Sequence, residues 1–312
     1  MAAKAAGQRW GGLCCNVYVS EGRDPRVLGA LRRAAATADE DGAAAAAVCT
    51  NVFVDAAYHR TGFTFAAADP RALVESALRL AREGLRLIDF RTHAASHPRL
   101  GAVDHVSCHP AWHDGDPAES RGMEGAELAA LAIAEALATG PPAVPVYLYG
   151  RASPAGKPLA QVRRELGYFD GERRGAWERG HALPAGVPAA DLGAGDFAAR
   201  SGVACVGAVP WITNYNVGLR GGDLATARRI ARAVSERGGG LAQVEAMALP
   251  HGGEVEVACN LLDSAVSSPA DVLARTRELA AAHGVEVGEA YVIGHTPDRI
   301  RELFEARACA AS

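Results

Sequence analysis

Residues 91–104 concentrate the side chains of this chain that could carry acid–base chemistry. The stretch contains two histidines, two arginines and an aspartate, and it lies between an amphipathic run and an apolar run. Pro98 removes a backbone donor and disfavours helical geometry at His97, whereas Gly101 permits a tight turn. We therefore expect His97 to lie in a loop between a helix and a strand, where a rigid scaffold can present it to a ligand.

His97 is the favoured catalytic candidate in this stretch. A single histidine is more often a structural hydrogen-bonding group than a catalyst, but His97 lacks the apolar neighbours of a core histidine and is followed by Pro98 and Arg99. A neutral imidazole near pH 7 can take a proton from an attacking amine and return one to a leaving amine. The sequence therefore predicts general acid–base chemistry at His97.

Other charged residues could complete such a site. Arg60, Arg91 and Arg99 could form surface ion pairs, the usual fate of arginine, or bind carboxylates through paired hydrogen bonds. Asp55 ends a predicted strand and Asp104 follows the histidine loop. Either aspartate could orient the catalytic imidazole, bind a polar ring or cap a backbone turn, and the residues alone leave these alternatives open.

A cluster of histidines raises the possibility of a zinc site. The histidines are His93, His97, His105, His109 and His113. Pro98 prevents the first two from sharing a helical face, the next two fall along a strand and its exit, and no Cys-x-x-Cys pair completes a ligand set. We therefore expect no metal, and a zinc hydrolase is only a third hypothesis. A nucleophile at Cys108 is not favoured, because the thiols lack an activating context.

The bulk composition excludes several classes of protein. The chain has 312 residues, 49% hydrophobic and 22% charged, with a formal net charge of -4. These values are typical of a soluble globular protein, and the negative charge argues against nucleic acid as the main partner. No apolar run is long enough to cross a bilayer, and the start lacks the apolar core of a signal peptide. The seven scattered cysteines favour reduced thiols and a cytoplasmic location.

The elements that would position His97 follow the same order twice. Periodicity and turn residues predict strand, helix, strand, strand, helix, strand over residues 13–108 and again over 211–293. This is the ferredoxin-like order, although the halves share no clear sequence repeat. We therefore predict an α/β (α+β) fold of two subdomains, residues 1–207 and 208–312, whose mixed sheets face each other across a cleft or tunnel. Clefts between domains commonly bind small molecules.

Several predicted elements bear directly on the histidine loop. A helix of residues 70–90, with apolar positions at helical spacing, precedes it, and a strand of residues 102–108 follows it. A charged loop then leads to a helix of residues 124–138. Residues 151–201 are predicted to form a long connection with one short helix near 159–165. Such connections often form covers or binding loops.

Sequence blocks along nearly the whole chain point to a known family. The most specific is His97-Pro98-Arg99-Leu100-Gly101-Ala102-Val103-Asp104. The supporting blocks are Ser20-Glu21-Gly22, Arg60-Thr61 with Phe63-Thr64-Phe65, Arg86-Leu87-Ile88-Asp89, Pro145-Val146-Tyr147-Leu148-Tyr149-Gly150 and Asn260-Leu261-Leu262-Asp263. In these blocks and their order the chain resembles the formiminotransferase domain of glutamate formiminotransferase. There is no room for a cyclodeaminase domain, so we expect a standalone transferase.

The resemblance implies a fold, a reaction and a set of site residues. The family has two α/β subdomains whose sheets face each other across a folate-binding tunnel, usually in a dimer, so a homodimer is expected. Its reaction moves a formimino group from N-formimino-L-glutamate to N5 of tetrahydrofolate, a co-substrate, without a metal. The family's catalytic histidine matches His97. The residues expected to bind folate or the donor are Asp55, Arg60, Thr61, Arg99, Gly101, Asp104 and Asn216.

The chain departs from the family pattern where carboxylates or a pterin would be held. Val17-Tyr18-Val19 replaces a Pro-Asn-Phe segment, Val209 replaces an arginine, and Gly218 replaces an asparagine. These changes keep two alternatives open. The chain could bind folate with little or no formimino transfer, which the loss of the arginine favours, or use a different one-carbon donor. The presence of His97 and Asp104 favours the transferase.

Overall fold

The structure is a computed structural model that describes residues 12–36, 47–112, 119–169, 177–178, 186–193 and 199–310. The strands are β1 (Gly12–Val19), β2 (Val48–Asp55), β3 (Arg60–Ala67), β4 (Ala94–Ala95), β5 (Val103–Trp112), β6 (Val146–Gly150), β7 (Trp177–Glu178), β8 (Ala204–Ala208), β9 (Thr213–Arg220), β10 (Val244–His251), β11 (Glu254–Leu261) and β12 (Glu286–Ile293). The α-helices are α1 (Pro25–Ala36), α2 (Pro70–Leu87), α3 (Glu119–Thr139), α4 (Leu159–Glu165), α5 (Leu224–Val234), α6 (Pro269–Ala282) and α7 (Pro297–Ala310). Within the described ranges, no helix is long and apolar enough to cross a bilayer.

Alternating side chains give the first sheet an apolar face and a polar face. Within the described residues it has six strands in the order β2-β3-β1-β5-β8-β6, antiparallel as far as β5 and parallel from there. Leu13, Cys15 and Val17 of β1 are fully buried in a core formed with α1, α2 and α3. Because side chains alternate along a strand, Asn16 and Tyr18 point to the opposite face. That polar face meets the second half of the chain.

The second sheet repeats the strand order of the first. Its order is β10-β11-β9-β12, antiparallel throughout, and side chains of α5 and α6 complete its core. In both units the order is second, third, first and fourth strand, which confirms the predicted ferredoxin-like arrangement and the α/β fold class. Only the first sheet is mixed. The division at residues 207 and 208 falls at the end of β8 and stays a prediction.

A β-bulge shapes the loop that precedes β5. Val19 lies opposite Val103, whereas the residue before it lies opposite His105. Asp104 is therefore an extra residue in β5, and a bulge of this kind re-aims the side chains around it. Asp104 Oδ1 accepts a 2.6 Å hydrogen bond from the backbone N–H of Leu100. The bulge thus closes the loop onto the start of its own strand.

The closed loop packs tightly against the segment before β8. Gly101 forms an antiparallel bridge with Gly202, and the backbone N–H of Ala102 donates a 2.8 Å hydrogen bond to the carbonyl of Ser201. A Cβ on Gly101 would lie 2.3 Å from the carbonyl oxygen of Val203 and 2.8 Å from that of Ser201. Backbone atoms on both sides therefore leave room only for glycine at this position.

One predicted strand is longer in the structure. β5 continues to Trp112, although the sequence predicted its end at Cys108, so His109 lies within the strand rather than at its exit. Pro110 is tolerated because pairing with β8 stops at Cys108. Beyond that residue the strand has a free edge, where a missing N–H is harmless.

Two predicted helix boundaries also differ. α2 ends at Leu87 rather than residue 90, because Asp89 caps a separate 3₁₀ turn. α3 begins at Glu119 rather than residue 124, and the preceding part of the predicted charged loop, residues 113–118, lies outside the described residues. The short helix near 159–165 is confirmed as α4.

Replacing Gly101 with alanine tests the close approach of the loop. We expect Gly101→Ala to lower the free energy of unfolding by about 1–3 kcal/mol, since overpacking forces the backbone apart. Gly29→Ala is the matched control: it lies in α1, and its Cβ would meet only the flexible end of Arg33 at 3.5 Å. It should be neutral or raise stability by up to about 1 kcal/mol. Urea unfolding measures the change in the free energy of unfolding for each variant. Equal changes in Gly101→Ala and Gly29→Ala would contradict the packing argument.

Candidate active site

The loop of His97 borders a small pocket beside the facing sheets. The pocket holds about 210 Å³ of empty space. Its walls are formed by Tyr18, Val19, Ser20, Tyr58, His59, Arg60, His97, Pro98, Arg99 and Asp104. The pocket therefore brings together four of the predicted site residues, His97, Arg60, Arg99 and Asp104.

The hydrogen bonds of His97 define its tautomer. Nδ1 lies 2.7 Å from the carbonyl oxygen of Pro98, which can only accept, so Nδ1 carries the proton and Nε2 carries a lone pair. Nη1 of Arg60 lies within 2.9 Å of both ring nitrogens. A guanidinium can only donate, so its hydrogen bond goes to Nε2 at 2.8 Å. Arg60 thus covers the nitrogen that would accept a proton.

Burial and positive charge keep this imidazole neutral. Burial lowers the pKa of His97 well below 6.5, the Arg60 guanidinium lowers it further, and the Pro98 carbonyl opposes the shift only in part. The ring of Tyr58 packs edge-on at 4.9 Å between centroids. Near neutral pH His97 is therefore a base with an available lone pair once Arg60 moves away.

Arg60 and Thr61 begin β3 but have different surroundings. The Arg60 guanidinium lies 4.5 Å above the ring of Tyr18, a cation–π contact that holds it beside the pocket. The hydroxyl of Thr61, which is fully buried, donates a 2.5 Å hydrogen bond to the carbonyl of Glu21. Thr61 therefore positions the neighbouring turn, while Arg60 faces the pocket.

Glu21 organises the turn after β1, a role that the sequence analysis did not assign. Its Oε1 accepts hydrogen bonds from the backbone N–H groups of Gly22, Arg23 and Asp24 at 2.8, 2.6 and 2.9 Å, and lies 3.1 Å from His59 Nε2. Burial alone would raise the pKa of Glu21, but these hydrogen bonds lower it to about 2. Oε1 of Glu21 thus holds the turn together, and the carboxylate is a structural anion.

Arg99 is buried against His93. Its Nε donates to His93 Nδ1 at 2.9 Å and its Nη2 donates to the His93 carbonyl at 2.6 Å. His93 Nε2 in turn donates to the carbonyl of His59 at 3.1 Å, and burial lowers the pKa of His93 to about 3. Burial also lowers the pKa of Arg99 to about 10, which leaves it charged at neutral pH. Arg91, by contrast, is exposed and forms a surface ion pair with Asp89.

Asp55 and Asn216 belong to a second cluster that joins the two halves. Asp55 accepts from the backbone N–H of Tyr58 at 2.8 Å and lies 3.1 Å from Nε2 of His251. The Asn216 amide donates to Oε1 of Glu256 at 2.6 Å. The Tyr58 hydroxyl also donates to Glu256, in a very short hydrogen bond. Tyr58 thus connects this cluster to His97, which its ring contacts.

Glu256 is a functional candidate that sequence reasoning missed. It is only 2% exposed and also accepts from the hydroxyl of Tyr291 at 3.1 Å. The sequence signal for Glu256 was the alternation of side chains along β11. Val255 and Val257 pack with the helices of the second sheet, so the residue between them must point toward the first sheet. The sequence offered no sign of its partners, which come from distant parts of the chain.

A narrow cavity separates the polar faces of the two sheets. It holds about 310 Å³ of empty space, which includes space open to solvent, and the Tyr18 hydroxyl crosses it to donate to Asn214 Oδ1 at 3.2 Å. Its walls are Asn16, Tyr18, Asn51, Phe53, Gly62, Thr64, Trp211, Ile212, Asn214, Ile293 and Gly294. Amide groups between aromatic walls suit a flat, polar heterocycle, which would have to part the walls to enter.

The remaining histidines are held by separate partners. His105 Nε2 lies 2.6 Å from the Tyr149 hydroxyl, and His109 Nδ1 lies 3.0 Å from the carbonyls of Val209 and Pro210. In the part of the chain that the structure describes, no group of three or more His, Cys, Asp or Glu side chains is arranged to hold a metal ion. His113 lies outside the described residues.

Fold and site together define a two-subdomain α/β protein with a neutral, base-competent histidine in a cationic pocket. The sequence model described as the N-terminal subdomain of the formiminotransferase domain matches residues 12–209, and the chain belongs to this family. The predicted enzyme class, a transferase of the formiminotransferase family, is confirmed by this match and by the names of the chain's relatives.

Three relatives show how far the similarity extends. The formiminotransferase cyclodeaminase-like protein of Arabidopsis thaliana is 38% identical over 297 residues, covering 93% of this chain and 95% of the relative. Formimidoyltransferase-cyclodeaminase of Mus musculus is 30% identical over 311 residues, 94% of this chain but 51% of the relative, so the chain spans about half its length. Glutamate formimidoyltransferase of Thermoplasma acidophilum is 25% identical over 289 residues, covering 91% of this chain and 88% of the relative.

The buried histidines should make the fold sensitive to acid. Burial lowers the pKa of His93 to about 3 and that of His109 to about 4, from 6.5. Because their folded pKa values lie below the unfolded value, their contribution to stability is complete above about pH 6.5 and is lost as the pH falls toward the folded values. Each should remove about 1.4 kcal/mol of unfolding free energy per pH unit below 6.5. Urea unfolding at a series of pH values measures this slope.

Matched histidine variants identify the source of the slope. His109→Gln keeps a polar side chain but cannot titrate at this position. Its unfolding free energy should therefore fall less steeply with falling pH than that of the wild type. His283, which is exposed at the end of α6, provides the control, and His283→Gln should leave the slope unchanged. Equal slopes for the wild type and His109→Gln would contradict the assignment.

Proposed function

We propose that this protein transfers a formimino group from N-formimino-L-glutamate to N5 of tetrahydrofolate, with His97 as general acid and base. Membership of the formiminotransferase family supports the reaction class. The observation that carries the role of His97 is its neutral imidazole in the pocket wall, whose Nδ1 proton is held by the Pro98 carbonyl and whose Nε2 lone pair accepts a hydrogen bond from Arg60.

The reaction requires one proton to move between two nitrogens. N5 of tetrahydrofolate attacks the carbon of the protonated formimino group, and Nε2 of His97 takes the proton that N5 loses. The resulting tetrahedral carbon carries three nitrogens. His97 returns the proton to the glutamate nitrogen as its bond to carbon breaks, which releases glutamate and restores the amidinium on N5. Such proton transfer contributes about 10²–10⁴-fold to a rate, and positioning two substrates contributes further.

Two features of the site suit these substrates. The amide-lined, aromatic-walled cavity between the sheets matches a pterin ring, for which Tyr18 and Asn214 would have to separate. Arg60 covers Nε2 of His97, and a substrate carboxylate is a stronger partner for its guanidinium than an imidazole. Binding of the donor would therefore draw Arg60 away and free the base.

A folate-binding protein with little or no transfer activity is the second candidate. Val209 is the observation that favours it: where the family pattern has an arginine, this chain has an apolar side chain packed against a core that includes Leu100 and Tyr149. A different one-carbon donor is the related alternative. A cytoplasmic location and a homodimer, expected from the thiols and the family resemblance, stay predictions.

Removing the His97 imidazole tests the proposal directly. We expect His97→Ala to lower kcat for formimino transfer by about 10²–10⁴-fold, because the variant lacks the imidazole that is proposed to accept the N5 proton. His283→Ala, at an exposed site, is the control and should keep full activity. Transfer by the wild type that survives in His97→Ala would refute the acid–base role. Folate binding without turnover in the wild type would favour the second candidate.

The pH dependence of the rate tests the influence of Arg60. Burial and then the Arg60 charge lower the pKa of His97, so the acid limb of the kcat/KM profile should lie below about pH 6.5. In Arg60→Met the pKa of His97 should rise, because the positive charge beside it is removed. The acid limb of the kcat/KM profile should then move to higher pH, whatever the change in KM. Arg26→Met, at a fully exposed position of α1, should leave the profile in place. An unchanged or lower limb in Arg60→Met would contradict the electrostatic argument.

A further inference from the structure

Arg163 is a largely enclosed arginine with one buried donor that lacks an acceptor among the described residues. It lies on α4, with only 13% of its side chain exposed. Its Nη2 is 3.5 Å from Oδ2 of Asp104, the outer limit of a hydrogen bond, and within the described residues its buried Nε has no acceptor. Buried donors without acceptors are rare and costly in folded proteins. Nε of Arg163 therefore suits an acceptor that the described residues do not supply.

Two contacts place Arg163 at the back of the His97 pocket. The Asp104 that it approaches is one wall of that pocket. The Arg163 guanidinium also lies 4.3 Å over the face of the Tyr168 ring, whose centroid is 6.4 Å from that of His97. Arg163 and His97 therefore share one aromatic neighbour.

The charges around this pocket do not balance. Arg60, Arg99 and Arg163 supply three positive charges, whereas Asp104 supplies one negative charge and already accepts from the Leu100 N–H. The other nearby carboxylate, Glu21, is occupied by three backbone N–H groups and His59. A hydrogen-bonded carboxylate keeps its negative charge, so Asp104 and Glu21 together leave the three guanidiniums in and beside the pocket one positive charge in surplus. This surplus favours an anionic ligand.

We propose that Arg163 is a carboxylate-binding residue of this site, which takes a substrate carboxylate through its Nε and one terminal nitrogen. This paired arrangement is the one that guanidinium groups form best with carboxylates, and it would replace the weak contact to Asp104. The inference rests on the proposed transferase function and adds to it a residue from α4. The carboxylate could belong to the amino-acid donor or to the glutamate tail of folate.

The contact with Asp104 does not by itself account for Arg163. A purely structural ion pair between buried groups needs close geometry and further hydrogen bonds to offset desolvation. Here a single contact of 3.5 Å joins the pair, and the remaining buried Nε has no acceptor among the described residues. A structural role would, moreover, affect stability without selecting among ligands.

Binding measurements on neighbouring arginines test the proposal. Arg163→Gln removes the charge, Arg163→Lys keeps the charge without the paired donors, and Arg164→Gln changes the adjacent, exposed arginine of α4 as the control. Calorimetry would measure the binding of L-glutamate, of tetrahydrofolate and of a tetrahydropterin without a glutamate tail. We expect at least one carboxylate ligand to bind about tenfold or more weakly to Arg163→Gln. Arg164→Gln should bind like the wild type.

The pattern of losses identifies the source of the carboxylate. Weaker glutamate binding with normal folate binding assigns Arg163 to the donor. Weaker tetrahydrofolate binding with normal binding of the tail-less pterin assigns it to the folate tail. Wild-type affinity of Arg163→Gln for all three ligands would overturn the inference. If Arg163→Gln does not fold, Arg163→Lys decides in the same way, with a several-fold loss supporting the proposal and full affinity overturning it.

The binding readout keeps this inference separate from the proposed reaction. A wild-type protein that binds these ligands without transferring a formimino group would refute the reaction and still allow the Arg163 comparison. Normal transfer by Arg163→Gln with unchanged KM values for both substrates would refute the inference alone.

Discussion

The arrangement of the two halves depends on the hydrogen bonds that surround the buried carboxylate of Glu256. Tyr58, Asn216 and Tyr291 each donate to it, and His251 lies between it and Asp55. A carboxylate removed from water is tolerated only when such donors surround it, and losing one partner leaves a charge poorly compensated. Asn216 and Tyr291 lie in the same sheet as Glu256, whereas Tyr58 comes from the turn between β2 and β3 in the first half. The hydrogen bond of Tyr58 to Glu256 and the contact of His251 with Asp55 therefore join the two halves at this carboxylate.

This arrangement also determines where the imidazole of His97 lies. The Tyr58 side chain contacts Glu256 through its hydroxyl and His97 through its ring, so one aromatic residue connects the contact between the sheets to the base. From the other side, the bulge at Asp104 and the close packing of Gly101 hold the loop of His97 against the segment before β8. The base is thus positioned by two independent constraints, one within the first sheet and one across the cleft.

The sequence predicted what depends on local patterns. Strand and helix periodicity gave the ferredoxin-like order in both halves, and Pro98 and Gly101 indicated a tight loop at His97. The cross-sheet cluster could not be predicted, because Tyr58 and Glu256 are 198 residues apart and only the folded sheets bring them together. Arg163 was missed for the same reason. Its helix was predicted with the observed bounds, but nothing in a short charged helix shows that one of two adjacent arginines points inward.

The surplus of positive charge in the pocket has a consequence for the chemistry. Burial and nearby guanidiniums hold the pKa of His97 low, so the imidazole is neutral but a weak base. A base of this kind accepts a proton more readily when the cations around it are neutralised. Substrate carboxylates on Arg60 and Arg163 would supply that neutralisation and, at Arg60, uncover Nε2 as well. Binding of an anionic donor would therefore raise the proton affinity of His97 only when a substrate is present to use it, and a donor without carboxylates would leave the base weak and covered.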